Sequence, residues 1–83
     1  MRKVHRRAAD VPQAVADRGT EILERTFAAY GVTRAQDLPD EGKVYLWREL
    51  RALFAAELPS DPPATPGGWQ ALVARIRALR IRP

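Results

Sequence analysis

The residues able to do covalent or acid–base chemistry are few and poorly placed for it. The single histidine, His5, stands among Arg2, Lys3, Arg6 and Arg7, and the single serine, Ser60, stands in the proline-rich stretch PSDPPATPGG. A nucleophile needs a base within hydrogen-bond reach and an orienting acid behind that base. No plausible architecture brings His5 and Ser60 together with such an acid. Carboxylates occur in pairs, Glu21 with Glu24 and Asp40 with Glu41. General acid–base work needs a pair facing each other across a cleft, one of them with a raised pKa. Glu21 and Glu24 instead share one surface face of a helix, with Glu21 also spaced to pair Arg25. Asp37, Asp40 and Glu41 lack the twelve-residue ligand spacing of a calcium loop and suit helix capping. TPGGWQ puts two glycines before a helix, but no Lys-Ser/Thr follows to cradle phosphate. There is no cysteine, so disulfides and cysteine metal sites are excluded. The expectation is a chain with no catalytic residues, no cofactor and no metal.

What remains is surface. Residues 1–9 hold four bases and no acid, residues 10–68 hold six bases and ten acids, and residues 69–83 again hold four bases and no acid. Such ends can grip phosphate or an acidic partner, or fold back on the acidic middle. The candidate phosphate contacts are Arg2, Lys3, Arg6 and Arg7 at one end, Arg75, Arg77 and Arg82 at the other, and Arg48 and Arg51 between them. Residues 13–33 and 27–47 lack the short helix, glycine turn and second helix of a helix-turn-helix. Trp47, Phe54 and Phe27 fall on apolar arcs rather than on a stacking platform for single strands.

These side chains need elements to hold them, and the apolar periodicity supplies helices. The sequence places a basic, disordered tail at 1–9 and a helical hairpin over 10–58. A Pro/Gly-rich linker at 59–68 and an amphipathic basic helix at 69–83 follow. In the first helix Asp10 or Val11 is the candidate cap and Pro12 suits the first turn. Val15, Ile22, Leu23, Phe27 and Tyr30 share a face, Gly19 weakens the interior, and Gly31 with Val32 reads as a Schellman stop. Thr33 and Gln36 have capping-box spacing, with Leu38 plugging the core behind them. The second helix runs from Pro39 to Leu58. Its first turn is acidic, and Leu46, Trp47, Leu50, Leu53, Phe54 and Leu58 form its apolar arc. No segment alternates as a strand does. The fold class is all-α: a small domain of two long antiparallel helices and a tethered third.

The third helix is the most informative. At 100° per residue, Trp69, Leu72, Val73, Ile76 and Leu79 fall within an arc of about 120°. Arg75 and Arg82 border one side of it and Arg77 the other, as snorkelling side chains border a buried seam. The stripe can complete a three-helix core. It can dock on another protein or a second copy of the chain through the tether, or lie on an anionic membrane with Trp69 at the interface; the membrane is the least favoured of the three. PSDP and PATP have P-x-x-P spacing, but linker composition accounts for them. A chain of 83 residues buries only roughly 60% of its unfolded surface, so a partner or oligomer is a natural source of added stability.

No apolar run approaches the ~20 residues that span a bilayer, and no apolar stretch follows the charged start as a secretory signal requires. The expectation is a cytoplasmic, non-enzymatic regulatory or accessory protein. It would work by protein–protein contact, as small phage- and mobile-element-encoded proteins do. The alternative is a nucleic-acid-binding protein that uses its two basic ends.

Overall fold

The computed structural model describes residues 11–79. They form α1 (Gln13–Tyr30), a 3₁₀ turn (Ala35–Asp37), α2 (Asp40–Leu53) and α3 (Pro66–Leu79), with no strand among them, so the chain is all-α. Asp10 and the tail expected at 1–9 lie outside the described residues.

Pro12 stands at the N-cap position of α1, where its carbonyl accepts the N–H groups of Val15 and Ala16, both at 3.0 Å. Val11 is fully buried. At the other end Gly31 takes the left-handed conformation, φ 66°. Its N–H donates to the Ala28 carbonyl at 3.3 Å and that of Val32 to the Phe27 carbonyl at 3.0 Å. These are the two bonds of a Schellman stop, and Val32 packs against the core behind them. Two buried threonines on α1, Thr20 and Thr26, donate to the carbonyls of Ala16 and Ile22, at 3.3 and 2.8 Å. Their hydroxyls therefore enter the core at little cost.

The connector closes differently from the capping box that Thr33 and Gln36 suggest. The Arg34 guanidinium forks onto the Asp37 carboxylate at 2.8 and 3.1 Å, and the turn delivers buried Ala35 and Leu38 to the core. Tyr30, expected on the buried face, is 36% exposed. Its ring covers Gly42, where a side chain would meet it at 3.1 Å, and its hydroxyl donates to Glu41 at 3.4 Å.

α2 ends at Leu53 rather than Leu58. Phe54 leaves helical geometry at φ −123° and ψ 39°, and Ala55, Ala56 and Glu57 form a turn in spite of their good helix propensity. Two causes act together. Pro59 disfavours helical geometry at Leu58, and the turn folds buried Leu58 back onto the core instead of carrying it one helical turn further out. Arg51 ties the turn down, donating to the carbonyls of Ala55 at 3.1 Å and Leu58 at 3.3 Å.

α3 begins at Pro66, inside the stretch that composition marks as linker. The Thr65 hydroxyl accepts the Gly68 N–H at 3.0 Å, and Pro66 occupies the first helical position, where its missing N–H is no loss. This is side-chain capping at full strength, so Thr65→Ala is expected to cost about 1 kcal/mol and Thr65→Ser close to nothing. Urea unfolding of the two variants checks it; equal midpoints would show that the hydroxyl does not hold the end of α3.

The elements converge on one core. Gly19 of α1 lies against Phe54 and Ile76. α3 rests on α1 and on the 3₁₀ turn, and its Trp69 meets Trp47 of α2 edge to face, centroids 6.3 Å apart and planes at 82°. Among the described residues no helix is long and apolar enough to cross a membrane.

Candidate protein-binding groove

The apolar stripe of α3, which from its sequence could complete a core or meet a partner, is occupied at home. Trp69, Leu72, Val73, Ile76 and Leu79 are each less than a tenth exposed, Ile76 only 1%. They are covered by the chain itself, which takes the stripe away as a docking face in this conformation. A helix that buries its apolar face internally leaves binding to what lies beside it.

The basic residues divide in a similar way. Arg2, Lys3, Arg6, Arg7 and Arg82 lie outside the described residues. Arg51 holds the turn after α2, and Arg75 donates to the Glu57 carbonyl at 3.0 Å. Arg77 stands over the Phe27 ring, 5.9 Å from its centroid. Arg34 is forked onto Asp37, and that hydrogen bond, followed by the carboxylate's charge, raises its pKa above the ordinary value. Arg18 and Arg25 both reach Glu21, at 2.8 and 3.5 Å. Arg48 and Arg51, both candidate phosphate contacts, are thereby separated in role. Arg51 is committed to backbone carbonyls, while Arg48 is exposed and joins no ion pair among the described residues.

Arg48 borders a groove. Asp40, Lys43, Val44, Trp47 and Arg48 recur at i, i+3, i+4, i+7 and i+8, which is one face of α2. Opposite them run Pro62 to Pro66, the strap that leads into α3, and Trp69 closes the floor. The space between is about 670 Å³ and open to solvent. The prolines give the strap its rigidity: they fix φ and donate no hydrogen bond, so the wall is apolar and preorganised. Val44, 55% exposed, is the largest apolar side chain left uncovered there. A second, smaller depression lies between Tyr30 and Tyr45, the latter 50% exposed. There, desolvation first and then the charge of Glu41 and its hydrogen bond raise the Tyr30 pKa above 10.0, so the phenol stays neutral at physiological pH.

The sequence reading missed the groove because neither wall is conspicuous alone. The α2 wall mixes charge with apolar residues, and the strap reads as linker. The available signal was the i, i+3, i+4, i+7 recurrence of Asp40, Lys43, Val44 and Trp47 on a flank of the apolar arc. Among the described residues no group of three or more His, Cys, Asp or Glu side chains could hold a metal ion. Comparison with family models, curated proteins and solved structures gives no match.

Proposed function

We propose that the chain is a small, non-enzymatic regulatory or accessory protein of the cytoplasm that acts by binding another protein. The observation that carries this reading is the groove between α2 and the proline strap. It combines a concave apolar floor, a preorganised wall and uncovered Val44, and interfaces of proteins place anchor side chains in such sites.

The test is affinity capture from the native host with the wild-type chain and with Val44→Asp, each with and without nuclease. The expected result is a protein retained by the wild type, lost with Val44→Asp and indifferent to nuclease. A partner that Val44→Asp retains would remove the groove from the function.

The charge layout favours a second reading, nucleic-acid binding through the ends. Residues 11–79 hold eight bases and nine acids, so the net positive charge belongs to residues 1–10 and 80–83. This reading predicts affinity for arbitrary DNA that falls steeply with salt and is lost on removing residues 1–9. Mobility shifts at low salt that show no complex would end it.

A further inference from the structure

We infer that the groove between α2 and the proline strap takes an acidic polypeptide segment of a partner, one with an apolar anchor residue flanked by carboxylates. The inference rests on the protein-binding reading above and specifies the chemistry of the partner. The floor is made by Trp47 and Trp69, with Val44 and Pro63 beside it. An aliphatic or aromatic side chain is what such a floor desolvates with gain. The rim then decides the flanks. Lys43 and Arg48 stand on the same wall, and neither makes an ion pair among the described residues. Asp40 lines the same wall at the start of α2, beside the positive end of the helix dipole, so the rim around the anchor site carries two cations against one anion.

That charge argues against the other occupants. The chain's own ends carry Arg2, Lys3, Arg6 and Arg7 before α1 and Arg80 and Arg82 after α3, the same sign as Lys43 and Arg48. A polyanionic nucleic acid would meet only two cations, set around an apolar floor without a free aromatic face, since both tryptophans are less than a tenth exposed. A partner segment with Asp or Glu on either side of one apolar residue satisfies floor and rim together.

The experiment is selection of a random linear peptide library displayed on phage. The targets are the purified wild-type chain, Val44→Asp, and the double variant Lys43→Glu/Arg48→Glu. Far-UV circular dichroism first establishes that each variant keeps its helices. Wild type is expected to enrich peptides with an apolar residue next to Asp or Glu, and Val44→Asp to enrich none of them. The charge-reversed variant is expected to select Lys or Arg in place of the acids. A synthetic peptide of the wild-type consensus should bind that variant about tenfold more weakly or worse. Enrichment of apolar peptides without acids, still lost in Val44→Asp, would overturn the stated chemistry and leave the protein-binding reading standing. So would a wild-type dimer in sedimentation that Val44→Asp dissolves, which would assign the groove to a second copy. Enrichment that ignores both variants, or none at all, overturns the inference. The protein-binding reading itself fails only if affinity capture also returns no groove-dependent protein.

Discussion

Replacing Trp69 with alanine is expected to remove about 3–5 kcal/mol of stability. A domain of this size holds only on the order of 5–10 kcal/mol in total, so the variant should lose a third or more of its stability and unfold at a much lower urea concentration. The ring is 5% exposed, and it is the one described side chain of α3 in ring contact with α2, edge-on to Trp47 at 6.3 Å. Its loss therefore removes apolar burial, leaves a cavity, and gives up an aromatic pair worth about 0.5–1.5 kcal/mol beyond its area. Trp69→Phe keeps most of the burial and should stay folded, with Trp47 as the sole tryptophan. Urea unfolding followed by circular dichroism gives the ranking. The wild-type midpoint should not change with protein concentration, since α3 packs on its own chain. If Trp69→Ala unfolds within about 1 kcal/mol of the wild type, α3 is not part of the core; if the midpoint rises with concentration, the helix packs between copies.

That contrast marks how far the sequence could be read. The phase of Trp69, Leu72, Val73, Ile76 and Leu79 was legible from spacing alone, and all five are buried. What covers them was not legible, because a stripe of this width suits an intramolecular core and a partner's groove equally. The Schellman stop at Gly31 followed from one glycine at the end of a periodic run, a local signal with a local cause. The end of α2 was not legible, because Ala55 and Ala56 favour helix, and the break at Phe54 answers to what Phe54 and Leu58 meet elsewhere in the fold. The start of α3 had a readable signal in Thr65-Pro66, which the glycines and prolines around it masked. The groove is tertiary throughout. Its walls lie about twenty residues apart in the chain, and the packing of α3 against α1, with Trp69 against Trp47, brings the strap alongside α2.

Gly19→Ala is expected to destabilise the protein even though alanine is the better helix former by about 1 kcal/mol. A methyl group built at Gly19 would sit 2.6 Å from two carbons of the Phe54 ring and 3.3 Å from a methyl of Ile76. Both neighbours are 1% exposed, so neither can swing into solvent, and the ring can retreat only by moving the turn that Arg51 ties down. Overpacking of this kind costs typically about 1–3 kcal/mol, which exceeds the propensity gain, and Gly19→Leu should abolish folding. Gly67 supplies the contrast. It lies in the first turn of α3 with nothing within 4 Å of an added methyl, so Gly67→Ala should raise stability by up to about 1 kcal/mol. The decisive comparison is a double-mutant cycle with Phe54→Leu, a smaller side chain that frees the space the methyl needs. Phe54→Leu alone loses packing, yet adding Gly19→Ala to it should cost at least about 1 kcal/mol less than in the wild-type background. A Gly19→Ala variant more stable than the wild type, or strictly additive effects in the cycle, would mean that glycine and ring do not share this space. The helices would then have to meet by some other contact than the one that explains why a glycine stands in the middle of α1.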